Sequence, residues 1–310
     1  MDKKKLIVIV ISIITIILVA IGCIYIYKNA GQEPTKIIST NPIFTMENYP
    51  RVDASLATQP LTNAFIKNFV DENINTEEIE YTNTHPAYVK LINGETDLIV
   101  VTEPSEEELR LAKEKGVELE VIPVVKEGFV FFVNSENQVD NLKLEQIQKI
   151  YTGEITNWKD VGGENNSIIA YQRPANSGSQ TGMLSLVMKG LKIMEPKTEE
   201  LVDTMFAIVN LVAAYKNEKT AIGYSYYYYA TTMYDEMDSE VANRIKLIAI
   251  NGVKPNEQTI KDGTYPLQTA YYIVIRKDEK QDSQTRKLVN AMLSERGQKV
   301  AKEAGYVPVK

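Results

Sequence analysis

Cysteine, histidine and tryptophan are nearly absent from this chain, which has 310 residues and one of each. With Cys23 as the single cysteine, disulfide bonds within the chain and metal sites built from cysteine are excluded. With His85 as the single histidine, familiar zinc sites and Ser-His-Asp catalysis are strongly disfavoured. The sequence therefore favours a protein that is not an enzyme, with no metal site and no cofactor. His85 precedes a proline at a helix start, which is typical of a surface or supporting residue.

Positive charge is scarce outside the N-terminus. Residues 1–28 contain one Asp and four Lys, and the whole chain has a formal charge of −7, so the remainder stands at −10. Such an acidic body argues against nucleic acid as a partner. It leaves room for a small anion, because local dipoles can hold an anion whatever the net charge.

The N-terminus indicates the compartment. Lys3, Lys4 and Lys5 precede an uninterrupted apolar run, 6–27, which matches the ~20 residues of a membrane-spanning helix. Lysines before the run place everything after it outside the cell. Alternatively, the stretch 20–23 resembles a bacterial lipoprotein cleavage box, with Cys23 as the lipidated residue. Either way, residues 1–28 are predicted to attach an extracellular body to the membrane, through a polar stalk at 29–41.

The body of the chain has the pattern of an α/β protein. Short apolar runs alternate with amphipathic helical patterns, which predicts mostly parallel sheets flanked by helices. A long helix is predicted at 198–216 and a terminal helix at 284–304. The predicted strands are 52–55, 77–81, 97–101, 119–125, 129–133, 168–171, 221–224, 245–250 and 270–275.

Two lobes are predicted, joined by crossover segments. The apolar run 129–133 leads into a second unit, so 42–128 and 246–310 form lobe I and 129–245 forms lobe II. Ligands of open α/β sheets bind in clefts at the carboxyl ends of the strands. We therefore expect a ligand between the lobes.

The stretch 168–183 has the features of an anion site. An apolar strand is followed by Arg173, a polar loop with Ser177, Gly178 and Ser179, and the start of a helical pattern. Helix starts present free backbone N–H groups, and a guanidinium offers paired donors to a tetrahedral oxyanion. Gly178 lets the backbone approach a ligand closely. The simpler interpretation is a capped helix that follows an exposed arginine.

Hydroxyls also stand at helix starts in the other lobe. Ser55 and Thr58 lie at one strand-to-helix turn, and Thr84 lies at the next. Each is ordinary capping when considered alone. Together with the loop in lobe II, and with Glu103 nearby, they predict one anion site shared by both lobes.

Several motifs resemble one family. The chain resembles the phosphate-binding proteins of bacterial ABC importers (PstS-type, with the type II periplasmic-binding-protein fold) over nearly everything after the stalk. The motifs are Ile155-Thr-Asn-Trp-Lys-Asp-Val-Gly-Gly163, the loop from Arg173 to Ser179, Gly223-Tyr224, Asn251-Gly-Val-Lys-Pro and Gly263-Thr-Tyr-Pro-Leu267.

The resemblance implies a set of phosphate ligands. In the family, one threonine hydroxyl and the following backbone N–H bind the anion, which corresponds here to Thr58 and Gln59. Glu103 falls at, or within one residue of, a family carboxylate that is usually Asp. Together with Ser55, the expected ligand residues are Ser55, Thr58, Gln59, Thr84, Glu103, Arg173, Ser177, Gly178 and Ser179.

The expected carboxylate has consequences for selectivity. A carboxylate beside a dianion is tolerated only if the anion still carries a proton to donate. Monohydrogen phosphate carries one and sulfate does not, so the carboxylate would reject sulfate. Two departures from the family concern this region: Glu103 is longer than Asp, and Ala54 replaces a common glycine beside the serine.

The resemblance implies a tethered extracellular receptor that closes its lobes around inorganic phosphate and delivers it to ABC permease subunits. We expect it to act as a monomer. The alternative is a membrane-anchored sensor or surface-interaction protein that uses the same fold for another oxyanion or for no ligand. The tyrosines at 224 and 226–229 are predicted to be half-buried packing at the lobe edge; a carbohydrate-stacking groove is the alternative.

Overall fold

The computed structural model describes residues 41–214 and 219–310. The predicted anchor at 1–28 and all but the last residue of the predicted stalk lie outside the described residues. Within the described ranges, no helix has the length and apolar character needed to cross a membrane.

The described chain alternates short strands and helices, as the sequence predicts. The strands are β1 (Val52–Ala54), β2 (Leu98–Val101), β3 (Leu119–Asn134), β4 (Asn141–Leu142), β5 (Ile169–Ala170), β6 (Ala221–Tyr226), β7 (Ile245–Leu247), β8 (Ala249–Ile250), β9 (Gln268–Arg276) and β10 (Val307–Pro308). The α-helices are α1 (Gln59–Phe69), α2 (Thr84–Asn93), α3 (Glu106–Glu114), α4 (Leu144–Thr152), α5 (Gly178–Gly182), α6 (Met205–Ala213), α7 (Tyr234–Met237), α8 (Ser239–Ala242), α9 (Glu257–Lys261), α10 (Gln284–Leu293) and α11 (Glu295–Glu303).

The long strand β3 joins the two lobes. Its first half, up to Gly128, pairs with β9, and its second half, from Phe129, pairs with β6 and β7. The pairing thus groups β1, β2, β9 and the first half of β3 on one side, and the rest of β3 with β5, β6 and β7 on the other. Two runs predicted as separate strands, 119–125 and 129–133, are therefore one strand with an irregularity between Pro123 and Val125.

The prediction of mostly parallel sheets is wrong. The sheets are mixed: β1 with β2, β4 with β8 and β5 with β6 are parallel, whereas β3 pairs antiparallel with β6, β7, β9 and β10, and β2 pairs antiparallel with β9. The physical reason is the path of the chain. It runs from one lobe to the other along β3 and returns to lie against that strand as β9, in the opposite direction. An antiparallel central pair follows from this path.

The strand predicted at 77–81 is absent. That segment begins with a 3₁₀ turn, Thr76–Glu78, and continues without a strand partner among the described residues. Its three glutamates favour solvent. Just beyond it, the Thr82 backbone N–H and hydroxyl donate instead to the buried carboxylate of Asp53, at 2.8 and 2.6 Å.

Two predicted helices are shorter than expected. In place of a helix over 198–216, a 3₁₀ turn at Thr198–Glu200 is followed by α6, which begins only after Thr204. The Thr204 hydroxyl accepts from the Ala207 backbone N–H at 3.0 Å and so caps the helix start. The terminal helix is interrupted at Ser294, where α10 ends and whose hydroxyl caps α11.

The predicted lobe boundaries at 128/129 and 245/246 remain a prediction. β7 pairs with the second half of β3, and β8 pairs with β4. These pairings favour a chain that returns from the second lobe to the first between β8 and β9.

Aromatic side chains fill the core where β3 crosses. Phe129 is fully buried and packs against Tyr224 and Tyr226, with ring centroids 5.5 Å away in both cases. Tyr228 and Tyr229 are also buried, so most of the tyrosine cluster lies deeper than the half-buried packing that the sequence predicts.

Candidate functional site

A cavity of about 350 Å³ lies between the two lobes. It is lined from the first lobe by the turn after β1, the start of α2 and the residue after β2. From the second lobe it is lined by the loop after β5, the start of α6, and the end of β6 with the segment that follows. The lining residues are Ser55, Leu56, Ala57, Asn83, Thr84, His85, Pro86, Thr102, Arg173, Ala175, Asn176, Ser177, Gly178, Ser179, Asp203, Thr204, Met205, Tyr226 and Tyr229.

Arg173 supplies the positive charge of this cavity. It is the only lysine or arginine among the described residues that line it, and its residue surface is 9% exposed. Its Nε and Nη1 have no hydrogen-bond partner within the described part of the chain. Burial lowers the pKa of the guanidinium, although an arginine stays charged. A buried cation with free donors is costly unless an anion joins it.

The polar loop after β5 is held rigidly behind Arg173. The Arg173 backbone N–H donates to the Tyr224 hydroxyl at 3.0 Å and to Gln180 Oε1 at 3.2 Å. The same hydroxyl donates to Gln180 Oε1, which ties strand β6 to the loop. Ser177 caps α5 by accepting from the Gln180 N–H at 3.3 Å. This arrangement fixes the loop without using the Arg173 guanidinium.

Gly178 brings the second lobe into direct contact with the first. A Cβ atom at Gly178 would lie 2.5 Å from Thr102 Oγ1 and 3.0 Å from Thr84 Oγ1. The Gly178 carbonyl accepts from the Tyr226 hydroxyl at 2.8 Å, which holds the loop at this depth. The sequence assigned this glycine to close backbone approach, and a larger residue would push the two lobes apart here.

The two hydroxyls predicted at the turn after β1 have different positions and roles. Ser55 lines the cavity, whereas Thr58 is fully buried behind it. Thr58 Oγ1 lies 2.9 Å from the Ser55 hydroxyl and donates its single proton to the Val100 carbonyl, with the Ser55 carbonyl 3.0 Å away. Thr58 thus positions the turn, and the side chain that faces the cavity belongs to Ser55.

Thr84 reaches the cavity from the first turn of α2. The preceding Asn83 adopts a left-handed φ of 72°, which turns the chain sharply into the helix. The 3₁₀ turn that begins at Leu56 and the helix that begins at Thr84 both border the cavity, close to the hydroxyls. The first N–H groups of an α-helix have no partner within the helix, so the start of α2 favours negative charge there.

Six of the nine predicted ligand residues line the cavity, and three do not. Thr58 is buried behind the wall, and Gln59 is the first residue of α1 outside the lining. The Glu103 carboxylate accepts a hydrogen bond from the Ser185 hydroxyl across the lobes. A ligand role for these three stays a prediction that their placement does not support. The residues brought together are Ser55, Thr84, Arg173, Ser177, Gly178 and Ser179.

Several lining residues were not singled out from the sequence. Thr102 directly follows β2, and its hydroxyl lacks a partner among the described residues, as does that of Ser179. The position after a buried strand was a usable signal for Thr102. Asp203 and Thr204 were hidden by the overlong helix prediction, although an Asp-Thr pair before an apolar run is a capping signal.

The lone histidine lies at the side of the cavity. His85 Nδ1 is 3.0 Å from Glu108 Oε1, and the His85 side chain is 35% exposed. Glu108 is buried, which raises the pKa of its carboxyl. Its other oxygen accepts from the Ser105 N–H at 2.8 Å at the start of α3. The pair therefore lies at the wall of the cavity, and a supporting role for His85 stays a prediction.

Comparison with known proteins gives one consistent family. A profile of the PBP superfamily domain matches residues 48–296. The phosphate-binding protein PstS of Staphylococcus epidermidis (strain ATCC 35984) is 30% identical over 234 residues, which cover 72% of this chain and 67% of that protein. PstS of Bacillus subtilis (strain 168) is 25% identical over 260 residues, which cover 83% of this chain and 80% of that protein.

Solved structures share the fold. A protein from Clostridium perfringens, assigned as a phosphate ABC transporter substrate-binding protein and solved with bound phosphate, has a TM-score of 0.62 at 22% identity, with 85% of this chain and 100% of that chain covered. An ABC-type phosphate transport receptor from Vibrio cholerae has a TM-score of 0.61 at 23% identity, with 83% and 98% covered. The chain belongs to the PBP superfamily and, within it, to the family of PstS-type phosphate-binding proteins.

Proposed function

We propose that this protein captures inorganic phosphate in the cavity between its lobes and delivers it to an ABC importer. The observation that carries the proposal is Arg173: a buried guanidinium with two unpartnered nitrogens, in a cavity lined by hydroxyls from both lobes. A tetrahedral oxyanion offers acceptors in several directions and would satisfy these donors together.

The donors around the cavity suit a small dianion. Ser55, Thr84 and Thr102 offer hydroxyls on one side, and Ser177 and Ser179 offer them on the other. Helix starts add backbone N–H groups, and one guanidinium adds a full charge. The tyrosines of the wall stay neutral, since burial raises the pKa of Tyr229 to about 12 and raises the pKa of Tyr226 well above its ordinary value.

We propose Ser55, Thr84, Arg173, Ser177, Gly178 and Ser179 as the residues that contact phosphate, with Thr102 as an addition. The names of the PstS relatives and of the Vibrio cholerae phosphate transport receptor support capture for transport over a sensor function. Those proteins are binding components of transporters, which also supports a role other than catalysis.

Attachment to the membrane and contact with permease subunits complete the proposal. The apolar run at 6–27 after Lys3, Lys4 and Lys5, and the cleavage-box-like stretch ending at Cys23, support a tether, as a membrane span or as a lipidated cysteine. A mass measurement of the mature N-terminus separates the two forms of tether.

Isothermal titration with phosphate tests the binding proposal. Residues 41–310 belong to one compact unit and provide the soluble body for the titration, after removal of bound anion. We expect saturable binding of one phosphate per chain at neutral pH. Absence of binding would overturn the proposed function.

A further inference from the structure

The first-lobe wall of the cavity has a hydroxyl at the point where the sequence places a carboxylate. Thr102 is 3% exposed and lines the cavity, and its Oγ1 lies beside the Tyr226 hydroxyl without a well-formed hydrogen bond to any of the described residues. The next residue, Glu103, does not line the cavity, because its carboxylate lies against the Ser185 hydroxyl. Of this pair, only Thr102 lies in the cavity lining, so the side chain that faces the anion here is a hydroxyl and not a carboxylate.

Thr102 lies deep between the lobes and close to the phosphate-binding loop. The position of a Cβ at Gly178 would be 2.5 Å from Thr102 Oγ1, and the Thr102 carbonyl accepts from the Tyr88 hydroxyl at 2.8 Å. Its backbone is therefore held from behind while its hydroxyl faces the loop. Together with Arg173 and Ser179, it is a nine-tenths buried polar residue with an unpartnered side-chain atom at the cavity.

The acidic side chains near the cavity do not occupy the position of Thr102. Asp203 lines the cavity, and its negative charge partly offsets the lowering of the Arg173 pKa by burial, but the residue is exposed at the start of α6. Glu108 does not line it, and its oxygens accept from the Ser105 N–H and contact His85. None of the described residues places a buried carboxylate on the cavity wall.

We propose that Thr102 determines the anion selectivity of the site, which takes fully deprotonated tetrahedral dianions such as sulfate as well as monohydrogen phosphate. This inference rests on the proposed function. A carboxylate only accepts, so it requires a proton on the anion; a hydroxyl can donate to any anion oxygen. With Thr102 in place, sulfate meets no opposing acceptor at this point of the wall, because the Thr102 hydroxyl can donate to it.

The test compares phosphate and sulfate by isothermal titration of residues 41–310 and of two variants. Thr102→Asp adds the missing carboxylate, and Thr102→Asn is the uncharged control of nearly the same shape. In the parent, we expect the dissociation constants of phosphate and sulfate to lie within about tenfold of each other, and Thr102→Asn should keep this ratio even if both anions bind more weakly. In Thr102→Asp, the ratio should shift against sulfate by at least about tenfold, which is about 1.4 kcal/mol and within the cost of a buried acceptor left unpaired.

The outcomes separate this inference from the proposed function. In one outcome, the parent binds phosphate but shows no binding of sulfate, even at a sulfate concentration a thousand times the phosphate dissociation constant. That result would overturn the role of Thr102 and leave the proposal of phosphate capture intact. A folded Thr102→Asp variant that keeps sulfate in the parent ratio would overturn it as well. Binding of neither anion by the parent would instead overturn the proposed function. The comparison in the parent does not depend on either variant folding.

Discussion

Replacing Arg173 with methionine should have opposite effects on anion binding and on stability. Methionine keeps most of the length of the side chain and removes the charge and its donors. In the structure the guanidinium is buried, and its Nε and Nη1 meet no acceptor among the described residues. The backbone N–H of the same residue is tied to Tyr224 and Gln180, so the loop should keep its position in the variant.

The loss of affinity can be estimated from the two free donors. A hydrogen bond to a charged group contributes about 1.5–3 kcal/mol, so two such bonds contribute roughly 3–6 kcal/mol. Phosphate should therefore bind the Arg173→Met variant about 10²–10⁴-fold more weakly than the parent.

Stability should change in the other direction when no anion is present. The guanidinium loses hydration on burial and recovers little of it from protein acceptors, which is why burial lowers its pKa. An apolar side chain removes this penalty, so the free energy of unfolding should rise by about 1–3 kcal/mol. That corresponds to an increase in the melting temperature of roughly 2 °C or more.

Titration calorimetry and thermal unfolding, each with and without phosphate, measure both effects. Arg110→Met is the matched control, since Arg110 is exposed on α3 and pairs only with Glu114 at 2.9 Å. It should change neither affinity nor melting temperature. Parental affinity in Arg173→Met would refute the assigned role of the guanidinium. A melting temperature that falls in anion-free buffer would refute the argument about its unpaired burial.

Three further predictions concern the contacts between the lobes and the crossing strand. Gly178→Ala places a methyl group 2.5 Å from Thr102 Oγ1, so phosphate affinity measured by calorimetry should fall at least about tenfold; unchanged affinity would show that the lobes need not approach here. The double variant Asn176→Ala, Ser185→Ala removes the hydrogen bonds to Glu107 and Glu103 across the cleft, and should weaken phosphate binding by roughly two- to tenfold at an unchanged melting temperature. Burial raises the pKa of Glu127 to about 8, so the folded protein holds a proton there that the unfolded chain releases above its ordinary pKa. Stability should therefore fall as the pH rises from about 5 to 8, and Glu127→Gln should flatten this dependence in melting experiments; an equally steep fall in the variant would contradict the assignment.

Much of the site could be predicted because its residues carry local signals. Arg173 and the Ser177–Ser179 loop stand between an apolar strand and a helical pattern, and Ser55 and Thr84 stand at helix starts. Each of these signals depends on neighbours within a few residues. Their convergence followed from one rule, that ligands of α/β sheets bind at the carboxyl ends of strands.

Local patterns could not predict features that depend on side-chain direction or on distant pairing. Glu103 was placed at, or within one residue of, a family carboxylate, and the cavity lining contains its neighbour Thr102 instead. Thr58 was assigned to the ligand, but its hydroxyl turns inward to the Val100 carbonyl on the neighbouring strand. The antiparallel pairing of β3 with β9 joins residues about 150 positions apart, such as Leu119 and Arg276, and no local pattern reports it.

A crystal structure of residues 41–310 with phosphate tests the central claim most directly, which is that both lobes bind one anion around Arg173. We expect phosphate in the cavity, in contact with the Arg173 guanidinium. It should also accept a hydrogen bond from a first-lobe hydroxyl (Ser55 or Thr84) and one from a second-lobe hydroxyl (Ser177 or Ser179). Phosphate bound by residues of one lobe alone, or away from Arg173, would contradict the account.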